Sequence, residues 1–409
     1  NYSLHTLKSY QNDLSKLSIF INETNIKDPK EISNSLIRNF IGNHRRKGLS
    51  PRSLSRMLSS LRSFFKFLNS NGIIDHDPTS LQGVNNLHNI NVHNDLDNYL
   101  NNNQPDGIII STPTVMHLEQ SLLCLEKKIP LLIEKPIAIN STEALQIVNK
   151  SQKMTTPVLI GQHRRHNEIA KLSKKLLSEG TIGEVRSIQA TCWFYKPDHY
   201  FNSAPWRKQK GAGPIYVNLI HDIDLLRYFC GDVKNVSAHA IKSKRNYENE
   251  DLASIILVFE NDVTATLSVS DSIVSPWSWE MTSNEHPIYH NVDSSCYLIG
   301  GSKGSLSLPD LSIWKHTNEP DWWTPLNKNT ISHTYKDPLI AQLENFRDVI
   351  NSQSKPLVSA LEGAKSLQVI EAINESISKK SNIESFKRLL DDLDTESSIG
   401  CPVELKYTS

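Results

Sequence analysis

Residues 129–139 read IPLLIEKPIAI, a short apolar run that ends in Glu134-Lys135-Pro136. A buried strand finishing on a charged pair sets that pair at a sheet end, where open parallel sheets bind their ligands. A lysine there, partly shielded from water and near other cations, has a lowered pKa and can exchange a proton with a substrate hydroxyl. From the spacing alone, a solvated lysine after a strand is an equally good reading. Two more strand ends carry chemistry: STPTVMH, with Thr112, Pro113, Thr114 and His117, and GQHRRHN, with His163, Arg164, Arg165 and His166. Neighbouring strand ends project into one crevice, so these groups should converge.

A fourth signal is GPIYVNLIHDIDLLRYFCG, residues 213–231. His221 and Asp224 stand three apart on one helix face, with Asn218 a turn earlier on that side. Leu219, Ile220, Ile223 and Leu226 supply the buried stripe, and Gly231 suits a C-cap. A histidine so placed can be a general base or a metal ligand, although it is more often a satisfied core residue. The fifth signal is YKPDHYFNSAPWRKQKGAGP, residues 195–214. Tyr195, Lys196, Trp206 and Arg207 in this Gly/Pro-rich loop suit a substrate wall or an ordinary surface loop. Trp277, Trp279, Trp322 and Trp323 fit an interface, a core or a sugar-stacking surface.

The elements that would position these groups are legible in the hydrophobic pattern. Over 3–73 the apolar residues recur at helical spacing, through Leu4, Leu7, Tyr10, Leu14 and Leu17, then Ile32, Leu36, Ile37 and Ile41, then Leu54, Leu58, Leu61, Phe65 and Leu68. Gly48 is expected to end the second of these helices, with Ser50 capping the third and Pro51 opening it. An Asn-rich joint follows, GVNNLHNINVHNDLDNYLNNNQ, with a short helix near Leu96–Leu100. From 106, apolar strands (DGIIIST, PLLIE, PVLIG) alternate with helices over 115–128 and 141–153. That grammar implies a parallel sheet covered on both faces. After about residue 184 the strands lengthen and alternate (VRSIQATCWFY, DLASIILVFE, VTATLSVSD, CYLIG, GSLSLP), as in a large antiparallel sheet. Helices are expected over 214–230, 338–351, 360–378 and, in the tail, 382–394.

The fold class is therefore multidomain: an all-α helical bundle, an incomplete α/β Rossmann-like domain, and an α+β domain with a large, mostly antiparallel sheet. The corresponding spans are 1–80, a junction over 81–105, 106–165, 166–378 and a tail over 379–409. The length of 409 residues agrees with two or three domains. Hydrophobic content of 38% and charge of 22% suit a soluble globular protein. Total net charge is zero, but residues 1–80 hold twelve Lys/Arg against six Asp/Glu, a net of +6. Nucleic acid is electrostatically reasonable there and nowhere else. The five cysteines are scattered with no metal-ligand spacing, so no metal and a reducing cytoplasm are expected. No apolar run nears the roughly 20 residues of a membrane span, and no signal peptide is expected.

Taken in order, TPTxxH, EKP, HRRHN, PWR and a Gly-x-Gly followed by HDID resemble the glucose–fructose oxidoreductase / inositol dehydrogenase / rhizopine-catabolism (Gfo/Idh/MocA) family over roughly residues 90–378. The resemblance implies a Rossmann domain joined to an α/β domain with a large open sheet. It further implies hydride transfer between NAD or NADP and a sugar, polyol or related hydroxyl compound, with a homo-oligomer allowed. Lys135 would relay the proton and His221 would act as acid/base. Thr112, Pro113, His117, Glu134, Lys135, Pro136 and Arg164 would line the cofactor. Tyr195, Trp206, Arg207, Asn218, His221 and Asp224 would meet the substrate. Two departures stand out. Many polyol-oxidising relatives carry aspartate one turn before the histidine, where this chain has Val217. None of the sixteen glycines falls in the GxGxxG pattern that lets a backbone reach a pyrophosphate.

The segment in that place, with its GLSPRSLSRMLSSLRSFF stretch, is similar to the N-terminal SAM-like core-binding domain of Xer-type tyrosine recombinases, over roughly residues 3–80. The resemblance implies DNA clamping, with Arg45, Arg46, Lys47, Arg52 and Arg56 as phosphate contacts. No histidine here has Arg at the third position after it, so recombinase catalysis is not expected. The leading reading is a dehydrogenase whose dinucleotide loop has been replaced. A DNA-binding module with a degraded dehydrogenase passenger and a non-functional gene fusion are the alternatives.

Overall fold

The computed structural model describes residues 4–24, 26, 28–46, 49, 51–79, 93–286, 289–380 and 383–384. The chain divides into two compact units, Asn1–Asn94 with His286–Asn291, and Asp95–Glu285 with Val292–Ser409. Among the described residues no helix is long and apolar enough to cross a membrane.

Among its described residues the first unit holds three α-helices, α1 (Leu4–Asn22), α2 (Asn34–Arg46) and α3 (Pro51–Ser70), with a 3-10 turn at Pro29–Glu31. Leu17, Ile37, Phe40, Met57, Leu61 and Phe65 bury one stripe from each helix in a common core. A buried carboxylate interrupts it: Asp13 accepts from Arg56 Nη2 at 3.1 Å and from Ser60 Oγ at 3.3 Å. Gly48, Ser50 and Lys47 lie outside the described residues.

The second unit opens with α4 (Leu96–Asn102), capped by Asp95, whose carboxylate accepts from the Asn98 N–H. Strand β1 (Ile108–Ile110), α5 (His117–Glu126), β2 (Leu131–Ile133), α6 (Ser141–Met154) and β3 (Val158–Ile160) follow. The three strands pair in parallel in the order β1-β2-β3, with Ile110, Ile133 and Ile160 in register. Their carboxyl ends therefore stand side by side. Among the described residues this sheet has no further strand, and β1 is an edge on which Ile109 is exposed.

After α7 (Glu168–Ser178) comes β4 (Val185–Trp193), then α8 (Asp198–Asn202), a π-helical turn (Ile215–Leu219) and α9 (Ile220–Cys230). Strands β5 (Val233–Lys242), β6 (Glu250–Phe259) and β7 (Thr264–Ser270) lead to α10 (Trp279–Thr282) and to β8 (Tyr297–Gly301), β9 (Ser305–Leu308), β10 (Ser312–His316) and β11 (Leu326–Thr330). Then come α11 (Pro338–Ile350), α12 (Ala360–Lys379) and β12 (Ile383–Glu384). The second sheet has nine strands in the order β11-β10-β9-β8-β4-β7-β6-β5-β12, antiparallel throughout except for β4 beside β7. Its apolar face packs on α9 and α12 around Leu225, Leu257, Leu267, Ile299 and Ile370.

Two expectations are corrected. The helix over 214–230 is a π turn joined to an α-helix, with one extra residue in its first winding. The tail helix expected from 382 does not begin there, because Ile383 and Glu384 pair as a strand with Val236 and Asn235. The rest of that tail lies outside the described residues. Gly231 does end α9, at φ +91°, where a side chain would strain the backbone.

Candidate active site

The three parallel strand ends bring Thr112, Glu134-Lys135 and Gln162-His163 to one edge of the sheet. Gly161, just past β3, makes room for this. A Cβ there would press on the Glu134 carboxylate at 3.0 Å. Half-buried Lys135, next to Glu134, donates from Nζ to the main-chain oxygen of Val217 at 3.0 Å. Burial lowers its pKa to about 8; Glu134 pulls the other way, while the nearby cations Arg164 and Lys196 add to the lowering. The acceptor sits in the π turn, a winding in which backbone carbonyls lie off the ordinary helical ladder.

His221 enters from the start of α9. Its Nδ1 lies 3.0 Å from Gln162 Oε1, and its ring meets that of His163 edge-on at 5.0 Å. With the Gln162 oxygen accepting, Nδ1 carries the proton and Nε2 is the basic nitrogen. His163 Nε2 pairs in turn with Glu285 at 2.7 Å. Burial pushes the Glu285 carboxyl up, but the His163 contact, Arg164 and Trp279 Nε1 together hold it down at about 2. Asn167 keeps this acid in position: its oxygen caps α7 at the Ile169 N–H, and its amide donates to Glu285 at 2.9 Å.

Around this runs a buried ionic frame. Arg164 reaches Asp222 at 2.8 Å and Glu280 at 2.9 Å, and Asp222 also takes the hydroxyl of Tyr297. Arg165 grips Asp224 through two nitrogens at 2.8 Å each and extends to Glu362 at 2.9 Å. Glu362 is shared with Arg227, which also pairs with Asp232. One 3-10 turn, His163–His166, thus ties the end of β3 to α9, α10 and α12.

Comparison with known proteins reads the same way. Residues 171–307 match the GFO/IDH/MocA C-terminal domain, and residues 52–162 match the oxidoreductase family's NAD-binding Rossmann fold. The second unit belongs to the Gfo/Idh/MocA family. A scyllo-inositol 2-dehydrogenase (NADP(+)), IolW of Bacillus subtilis, is 24% identical over 71% of this chain and 82% of its own length. The WlbA dehydrogenase of Chromobacterium violaceum, solved in complex with NADH and UDP-GlcNAcA, superposes with a TM-score of 0.59. It is 20% identical over 79% of this chain and 92% of its own, a likeness of fold. Residues 1–72 match the phage integrase N-terminal SAM-like domain. Tyrosine recombinase XerC of Pseudomonas syringae pv. tomato is 37% identical over 19% of this chain, which spans only 26% of that recombinase. The two family matches overlap at 52–72, on the unbroken helix α3, whose buried residues belong to the helical core.

Within this Gfo/Idh/MocA region the expected site residues divide. Lys135, His221, Asn218 and Glu134 gather at the strand ends. His117 is buried and clamps two loops, with its nitrogens 3.0 Å from Pro136 O and 2.9 Å from Thr112 O. Thr112 donates its hydroxyl to Gln120. Arg164 and Asp224 spend their charge on the ionic frame rather than facing a ligand. In the 195–214 loop, Tyr195 and Trp206 are exposed, and Arg207 folds back onto Tyr200 O at 2.7 Å and over the Tyr200 ring. Trp279 is buried against Glu285; Trp277 is exposed beside Trp193, while Trp322 and Trp323 are exposed on the surface. Of the basic set in the first unit, Arg56 is bound to Asp13. The side chains of Arg45, Arg46 and Arg52 lie outside what is described, as does Lys47. The four described cysteines are buried and free; Cys401 lies outside the described residues.

Sequence reasoning missed Glu280, Glu285, Asp271 and Glu250. The first two fall in WSWEMTSNE, where tryptophans drew attention away from two acids five apart. A nicotinamide dinucleotide, implied by the family, finds half a site. Asn218 Oδ1 and Glu280 Oε2 are buried acceptors without a hydrogen-bond donor, Asn218 being next to the Val217 carbonyl that holds Lys135 and linked to Glu280 at 3.4 Å, and they suit the polar end of such a complex. The pyrophosphate end does not fit, because no GxGxxG turn exists in the sequence.

Proposed function

We propose that this chain is an NAD(P)-dependent oxidoreductase acting on the hydroxyl of a sugar, polyol or related compound. The observation that carries the reading is Lys135, fixed by a main-chain acceptor and holding a proton loosened to about pH 8. When bound, the dinucleotide supplies hydride chemistry at the nicotinamide end, with Thr112, Pro113, Glu134, Lys135 and Pro136 as its wall. Lys135 as the neutral amine takes the proton of the substrate hydroxyl in oxidation and returns it in reduction. His221, with Nδ1 held by Gln162, presents Nε2 as its basic nitrogen, and its ring rests edge-on against His163 of the His163–Glu285 pair. Asn218 orients a hydroxyl beside it. The missing glycine turn removes backbone donors from the pyrophosphate, so cofactor affinity is weakened rather than the chemistry.

A NADH and NADPH fluorescence titration of the full chain tests this, with Lys135→Ala alongside. Saturable binding in the micromolar range by both proteins is expected, with oxidation of inositols or sugars by the wild type alone. Folded protein that binds neither dinucleotide would overturn the reading.

A second reading concerns residues 1–80, favoured by the recombinase-like match and the net charge of +6. This unit binds duplex DNA through its basic helices without strand exchange. Anisotropy with a labelled duplex should show affinity falling steeply with salt, and a shallower slope for Arg45→Ala with Arg52→Ala, which leave the Arg56–Asp13 pair in place. An unchanged slope counts against these helices.

A further inference from the structure

Val217 O, the acceptor that fixes Lys135, is only as well placed as the π turn that carries it. That turn begins without a cap from its own N-terminal side chain, because the residue there is Pro214. Half-buried Glu250 supplies one from elsewhere in the chain: its Oε1 accepts the Ile215 N–H at 3.1 Å. The first N–H groups of a helix have no partner within it, so a carboxyl oxygen at that end answers both the free donor and the partial positive charge. Glu250 also lies against the preceding backbone, where a Cβ added at Gly213 would sit 2.1 Å from its Oε1. Gly213 O in turn accepts the Val217 N–H at 3.1 Å, and Val217 O accepts from Lys135 Nζ at 3.0 Å. An unbroken run of contacts thus leads from Glu250 through Gly213 and Ile215 to Val217 and Lys135.

The residue that does the pinning is itself held by a strand. Glu250 opens β6, opposite Lys242 of β5, and two residues on Leu252 pairs with Ser270 of β7. Its neighbours are tied down as well: Asn249 donates its amide to Arg207 O at 3.1 Å, and Asp251 Oδ2 accepts the Lys244 N–H at 2.7 Å. A group carried on such an element is placed more precisely than one carried on a loop. Burial raises the pKa of the Glu250 carboxyl and Asp271 adds to the rise, while its backbone hydrogen bonds, Ile215 N–H among them, and Lys196 oppose it. Oε1 accepts in either charge state, so the contact to Ile215 outlasts protonation. Glu134, Arg164, Lys196 and Glu280 are the charged groups that act on Lys135, and Glu250 reaches it through the backbone instead.

We propose that Glu250 is a positioning residue for Lys135: from the end of β6 it pins the first winding of the π turn and thereby sets the carbonyl on which the lysine ammonium rests. The inference rests on the oxidoreductase reading for what Lys135 does, but the state of its amine can be read without hydride transfer. Carbon-13 NMR of the full chain labelled at lysine Cε, with the Lys135 signal identified by its loss in Lys135→Ala, should give a titration midpoint near 8. In Glu250→Ala the turn loosens, water reaches the amine, and the midpoint should climb by about one pH unit toward that of a solvated lysine. Glu250→Gln keeps an oxygen for Ile215 and should hold the midpoint near 8. Gly213→Ala drives a methyl into the Glu250 carboxyl, so it should repeat the rise by itself and add nothing to Glu250→Ala. In kinetics Glu250→Ala should lower kcat about tenfold with the dinucleotide KM little changed. If Glu250→Ala does not fold, the Gly213→Ala midpoint decides in its place. A midpoint unmoved in folded Glu250→Ala, or moved as far in Glu250→Gln, would overturn the positioning role, even where the melting temperature falls. A Glu250-dependent midpoint in a chain that turns over no sugar or polyol would sink the oxidoreductase reading alone.

Discussion

Arg165, buried, and Lys135, half-buried, are cations at the ends of neighbouring parallel strands, and their surroundings differ completely. Arg165 meets two carboxylates in three hydrogen bonds of 2.8–2.9 Å and lies over the Tyr228 ring. Its charge is matched on all sides. Burial opposes the charge on Arg165, but Asp224 and Glu362 outweigh burial and raise its pKa. Lys135 has a single main-chain acceptor; burial lowers its pKa to about 8, the nearby cations Arg164 and Lys196 add to the fall, and Glu134 and Glu280 offset it only in part. A fully matched charge makes a joint; an undermatched one makes a proton that can leave. In the sequence both stand just past a strand end, and it is their partners in the fold that tell architecture from chemistry.

Three experiments would break or sharpen that contrast. The largest effect is expected from Lys135→Ala, which should lower turnover by about 10²–10⁴-fold, the usual worth of a positioned acid–base group. Circular dichroism and melting should stay near wild type, and a comparable loss of stability would mean Lys135 is a joint after all. Next, Arg165→Leu strands Asp224 in the interior and should cost about 3–5 kcal/mol of stability, read by urea unfolding. A loss under 1 kcal/mol would show that the frame relaxes around the missing charge. The mildest is the pH profile. Below about 8 Lys135 carries its proton, so oxidation should rise as pH climbs through that value and reduction should fall. Rates in both directions over pH 6–10 would show it, and profiles without an inflection near 8 would remove Lys135 from the proton path.

Much of this was legible in the sequence because it is local. Helical spacing in 3–73, strand–helix alternation from 106 and the strand-end runs EKP and HRRHN each announce themselves within a dozen residues. What escaped is non-local or written in the backbone. Arg165 meets Asp224 across 59 residues, so HRRHN looked like ligand-facing cations. His117 works through two carbonyls that no side-chain pattern marks. Glu280 and Glu285 reach the pocket from a short helix and loop without periodicity. A two-residue strand at Ile383–Glu384 lies below what alternation can signal, and the helical period of NIESFKRLLDDLD outweighed it.

Val217 seemed a defect, a valine where relatives place an acid. In the folded chain that position serves Lys135 through its carbonyl oxygen, which every amino acid possesses. The contact therefore does not depend on the side chain at 217, provided that the residue keeps the N–H that bonds to Gly213 O at 3.1 Å, as every amino acid but proline does. Its weak point is length. Deleting one residue from Ile215–Leu219 would rewind the turn into an ordinary helix and carry the oxygen away, so drift in sequence is tolerated where drift in register is not.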